Sequence, residues 1–135
     1  MPERHGEELL RVNNFIVLIG ERELGFAEVG PLASLSDPAA PDNRHADRFA
    51  PLILRRALTT STELYDWRRR IVAGEKDLRD VTIRQLSTPG GEVVNSWRLV
   101  QAWPSRWSGP TFNAMAADIA FEELELTFDD LIWEG

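Results

Sequence analysis

The chain has 135 residues, 43% of them hydrophobic and 27% charged, a balance that fits one folded domain rather than a disordered tail. Its longest uninterrupted apolar run, Phe15–Ile19, is five residues, far short of the roughly 20 that a membrane-spanning helix needs. Cysteine is absent, which excludes disulfides and thiolate metal sites, and a net charge of −7 argues against gripping a phosphate backbone. The acidic N-terminus has no apolar stretch behind it, so no signal peptide is read there, and cytoplasmic synthesis is the expectation.

The charge is unevenly placed. The last 18 residues hold seven acids (Asp118, Glu122, Glu123, Glu125, Asp129, Asp130, Glu134) and no base, while residues 1–117 carry 15 of each sign.

Residues 1–13 are polar and read as frayed or used for docking. The branched run Phe15–Ile19, closed by Gly20, predicts a strand, and Leu24–Val29, ended by Gly30 and Pro31, a second extended piece. From Ser34 to about Pro51 the composition turns to proline, aspartate and arginine, which predicts a projecting loop or arm. Leu52–Leu58 reads as a strand. A helix follows, with Thr60 and Glu63 at capping-box spacing and Leu64, Trp67, Ile71 and Val72 as one apolar stripe. Arg68, Arg69 and Arg70 suit its C-terminal dipole, and Gly74 its stop.

Beyond the helix the pattern is extended. Val81–Leu86 alternates, with Val81 and Ile83 on one face. The turn cluster Thr88–Glu92 joins it to a strand over Val93–Trp103, in which Val93, Trp97, Leu99 and Trp103 share a face and which Pro104 interrupts. The last strand spans about Asp118–Phe128. Its apolar phase slips from odd (Ile119, Phe121) to even (Leu124, Leu126, Phe128), which predicts a β-bulge near Glu122 and Glu123. The sum is a mainly β chain of about six or seven strands with one α-helix, a small antiparallel sandwich or barrel occupying residues 1–135 as a single domain.

No chemistry-bearing motif emerges. The two histidines, His5 and His45, stand in polar surroundings and are not at metal-ligand spacing. The glycines form no phosphate loop, and Glu122, Glu123 and Glu125 alternate along a strand without the turn of a calcium site. No catalytic, cofactor or metal site is therefore expected. Trp97, Trp103 and Trp107, three of five tryptophans, read either as core and interface filling or as a carbohydrate-stacking platform.

The ordered set of segments resembles the tail tube protein family of contractile phage tails and contractile injection systems. It is carried by Asn13–Ile19, Gly25–Val29, Leu54–Thr59 with Glu63–Trp67, Trp97–Pro104, Ser108–Pro110 and Ile119–Leu126. The resemblance implies a non-enzymatic β-barrel that forms homo-hexameric rings, stacked on themselves or on a tube paralogue, with sheath, baseplate and spike proteins as partners. It implies no specific nucleic-acid or membrane binding, and a final place in a virion tail or injection particle. The proline-rich 34–51 segment is shorter than that family's arm. A tube initiator ring in the baseplate, joining spike and tube, is the alternative to the repeating tube subunit. Candidate subunit-interface residues are Phe15, Asp37, Asn43, Arg44, His45, Arg48, Arg55, Arg56, Trp103, Trp107, Glu122, Glu123 and Glu125. Acids of the last strand are expected to face a lumen or to pair across the interface with Arg55, Arg56 or the Arg68–Arg70 cluster.

Overall fold

A computed structural model describes residues 9–36 and 48–135. Within these residues ten strands and one helix follow in order. They are β1 (Phe15–Ile19), β2 (Arg22–Leu24), β3 (Glu28–Gly30), β4 (Ser34–Leu35), β5 (Arg48–Phe49), β6 (Leu52–Ala57), α1 (Glu63–Val72), β7 (Arg79–Leu86), β8 (Val93–Ser108), β9 (Phe121–Thr127) and β10 (Asp130–Trp133). The fold is mainly β with one helix, as the sequence predicts. The strands beyond the expected six or seven are short ones, of two to four residues.

Every ladder is antiparallel, and the main sheet runs β2-β1-β7-β8-β9-β6-β3 with β10 on β8; β4 and β5 form a separate ribbon. The long strand β8 divides this path into two packed halves. Its first half pairs with β7 and β10, its second with β9. Between β2 and β3 the chain crosses from one half to the other at Gly25–Ala27, because β2 pairs with β1 and β3 with β6. The expected single piece Leu24–Val29 is thus two strands. Of the segment 34–51, read from the sequence as a projecting loop or arm, the β4–β5 ribbon is described; Asp37, Asn43, Arg44 and His45 lie outside the described residues.

The corner of β8 sits at Gln101, which holds φ at 54° and donates its N–H to Asp80 Oδ1 at 3.0 Å. One extra residue enters β8 there, since Val81 faces Leu99 but Arg79 faces Ala102. The inward phase therefore changes from odd to even, and Leu99, Ala102 and Pro104 are all buried. Two expectations are corrected by this. Trp103 does not share the inner face of Leu99, and the strand continues through Pro104 to Ser108. A second shift at Ser105 brings Trp107 opposite Leu124.

The bulge expected near Glu122 and Glu123 is not in β9. That strand alternates regularly, with Glu122, Leu124 and Leu126 buried, while Ile119 lies outside it and is exposed. The irregularity belongs to the partner strand β8, and the inner position at the head of β9 is filled by a carboxylate.

Helix α1 buries Leu64 and Trp67 against the sheet, with Ile71 packed at the margin of the core. Val72 points to solvent instead of completing the stripe. The capping box does not form. Thr62 is the N-cap, its hydroxyl donates to Asp66 Oδ2 at 2.9 Å, and the Glu63 carboxylate is drawn away to two arginines. Gly74, at φ 92°, takes the left-handed conformation expected at the helix stop.

Candidate assembly interface

The half made of β8, β9, β6 and β3 has one face on the core and one on solvent. Directly opposed residues of antiparallel strands share a face. The outward rows follow from the registers: Glu28 faces Arg55, Arg55 faces Glu123 and Glu123 faces Ser108, while Ile53 faces Glu125 and Glu125 faces Arg106. Arg55 Nε lies 3.4 Å from Glu123 Oε2, and its guanidinium stands 3.7 Å over the Phe121 ring. Of the residues singled out in the sequence, Arg55, Glu123 and Glu125 thus come together on one charged face.

Arg56 and Glu122 go to the other side. Glu122 is 1% exposed, and its carboxylate accepts from Arg56 Nε at 2.8 Å and from Trp107 Nε1 at 2.9 Å. Arg56 Nη1 donates to Glu63 at 3.0 Å, and Glu63 also pairs with Arg22 at 2.9 Å. One chain of charge therefore ties β8, β9, β6, α1 and β2 together. Burial opposes the Arg56 cation, yet the hydrogen bonds it donates to Glu122 and Glu63, and the charges of those carboxylates, raise its pKa above the ordinary value. Burial also works against the Glu63 anion, but the Arg56 hydrogen bond and the Arg56 and Arg22 charges hold its pKa below the ordinary carboxylate range. Cations of the Arg68–Arg70 cluster find partners within the chain as well. Arg68 donates to the Pro104 carbonyl at 3.0 Å, and Arg70 pairs with Asp77 at 2.9 Å.

Two open edges bound this half. Among the described residues β3 pairs only with β6, and the Trp103–Ser108 stretch of β8 only with β9. Trp107, half-buried, packs edge-on against Tyr65 with ring centroids 5.0 Å apart. Phe15 lines an apolar concavity beside β3. Arg48 stands in the β4–β5 ribbon opposite Leu35. Sequence reasoning missed Glu28, Arg106 and Tyr65, whose only signal was their place beside open edges. It also assigned Glu63 wholly to a helix cap. Among the described residues no group of His, Asp and Glu is placed to hold a metal ion, and no helix is long and apolar enough to cross a membrane.

An antiparallel, mainly β architecture with one helix is the fold of a contractile tail tube protein. The chain belongs to the T4-like virus tail tube protein gp19 family, whose match spans residues 44–132. No curated protein sequence matches it. Among solved structures it is similar to a chain of the sheath-tube complex of the extracellular contractile injection system PVC in its extended state. That chain is 26% identical at a TM-score of 0.81, with 96% of this chain and 94% of that one covered. A chain in the PVC sheath/tube terminator is 27% identical at 0.81, covering 96% and 99%. A chain in the six-fold symmetrised baseplate of the anti-feeding prophage is 18% identical at 0.70, covering 96% and 97%. The protein is a structural component of the contractile tail tube class.

Proposed function

We propose that this chain is the repeating subunit of an inner tube and assembles into six-membered rings that stack within a sheath. The observation that carries the reading is the pair of open edges on β3 and β8. Strand direction alternates across β8, β9, β6 and β3, so β3 and β8 run opposite ways. Rotation about a ring axis preserves those directions. The β3 edge of one copy therefore meets the β8 edge of the next as an antiparallel partner, and an even number of strands closes the ring without a parallel seam. Closure also removes two edges that would otherwise template aggregation. Glu28 at one edge and Arg106 at the other bring opposite charges to that seam.

In this reading the outward face of the four strands lines the bore. It presents Glu28, Glu123 and Glu125 against Arg55 and Arg106, a mixed surface less acidic than the chain's net charge suggests. The surplus acids Asp129, Asp130 and Glu134 lie at β10, on the other half. Core and interface filling is favoured over a sugar platform by the contacts of two of the three tryptophans: Trp97 stacks on Trp133, and Trp107 packs on Tyr65 with its N–H held by Glu122. A tube subunit rather than a baseplate initiator is favoured by the higher identity and TM-score toward chains of the two tube assemblies. Negative-stain microscopy of the purified protein tests this. Six-fold rings that extend into tubes are expected; single rings that never stack would favour the initiator role, and monomers at all concentrations would overturn the assembly reading.

A further inference from the structure

The stretch between β8 and β9 displays three large apolar side chains. Phe112, Met115 and Ile119 are 84%, 94% and 70% exposed. The display is built on a defined turn, in which Ala116 donates its N–H to the Asn113 carbonyl at 3.1 Å and Met115 donates to Asn113 Oδ1 at 2.9 Å. At the opposite edge of the same four strands a concavity of about 610 Å³ opens, and Phe15, Phe26, Val29, Leu32 and Trp97 give it an apolar wall. A hydrophobic knob and a hydrophobic hole at different places on one surface are the two halves of a head-to-tail contact between copies.

The occupant follows from the position of each half. The knob leaves directly from Ser108, the end of β8; the hole is bounded by Glu28 and Val29 of β3. Within one copy the two edges stand about 14 Å apart, three strand spacings, and Phe112 borders a separate concavity with Arg55 and Glu123, so the knob does not line its own hole. Where β8 of one copy runs antiparallel beside β3 of the next at the same level, Ser108 falls beside Glu28 at the entry to β3, two residues past Phe26. We propose that the 109–120 stretch seats Phe112 in the concavity of the adjacent copy of this chain and so locks the seam. This inference rests on the ring reading above.

Two experiments test it on the full chain. Phe112→Ser is expected to move half-assembly, followed by sedimentation, to roughly 10- to 100-fold higher concentration, with the unfolding temperature of the monomer unchanged because the side chain is already exposed. Unchanged assembly would overturn the proposal. The chain has no cysteine, so Phe112→Cys combined with Leu32→Cys is expected to yield covalent oligomers on mild oxidation of assembled rings. Rings that form normally without these cross-links would sink the knob-and-hole contact and leave the ring reading standing. Failure of the unaltered chain to form rings would remove both.

Discussion

The Glu122 carboxylate and the Arg56 guanidinium meet at 2.8 Å beneath the sheet, with side chains only 2% and 12% exposed. Among the described residues Arg56 Nη2 is buried without a hydrogen-bond partner, so the two charges are compensated by each other, by Glu63 and by the Trp107 N–H. A buried pair of this kind is costly to break and cheap to replace, because removing one member strands the other charge away from water. Glu122→Ala is expected to lower stability by about 3–5 kcal/mol in chemical denaturation. The double change Glu122→Leu with Arg56→Met should recover most of that loss. A double variant as unstable as the single one would show that packing, not stranded charge, sets the cost.

Acid should weaken the fold through two carboxylates. Glu63 is held below its ordinary value of 4.5 by Arg56 and Arg22 against the effect of burial. Asp77 is held below 3.8, first by the Arg79 hydrogen bond and then by Arg70, again against burial. A depressed folded-state pKa means that the unfolded chain binds more protons, so both contributions are complete above the ordinary values and fade as pH falls below them. The melting temperature is expected to drop steadily from about pH 5 to pH 3. Glu63→Gln and Asp77→Asn should each flatten that slope; parallel curves for variants and parent would refute the assignment.

Trp67 anchors the helix. It is fully buried, its N–H donates to the Asp77 carbonyl at 2.8 Å, and the Arg79 guanidinium sits 4.4 Å from its ring. Trp67→Ala should cost about 3–5 kcal/mol. Trp67→Phe, which keeps most of the volume, should cost less but leave the carbonyl unpaired. A loss under about 1 kcal/mol for the alanine variant would mean the helix is not packed through this residue.

Gln101 turns the corner of β8 in a left-handed backbone conformation that costs a residue with a Cβ about 1–2 kcal/mol. Gln101→Gly should leave thermal stability within about 1 kcal/mol of the parent, relief of strain offsetting the extra freedom of the unfolded chain. Gln101→Val, β-branched, should be clearly less stable. Equal stability of the two variants would contradict a fixed corner.

Much of this architecture was legible in the sequence because its signals are local. The branched run Phe15–Ile19, the turn at Thr88–Glu92 and the Leu64–Trp67 stripe each report a period that packing preserves. The phase break between β8 and β9 was legible only as a break. The irregular apolar pattern points to β9, whereas the extra residues sit in β8, at Gln101 in the ladder with β7 and at Ser105 in the ladder with β9. A buried carboxylate cannot be foreseen from its own strand, since the groups that make Glu122 tolerable, Arg56 and Trp107, are 66 and 15 residues away in the chain. For the same reason Arg55, Arg56, Arg68 and Arg70, candidates for pairing across a subunit interface, find partners within the chain. The open edges of β3 and β8 emerge only from the full strand order.

The seam between those edges is the centre of the account, and cysteine cross-linking reads it most directly. Glu28 and Arg106 point to the same outward face at the two free edges, and Ser108 is the next residue along on that face. Variants pairing Glu28→Cys with Arg106→Cys or with Ser108→Cys, oxidised after assembly, are predicted to give a ladder of covalent species ending at six chains on a denaturing gel. Assembled particles in which neither pair cross-links between chains would contradict the account.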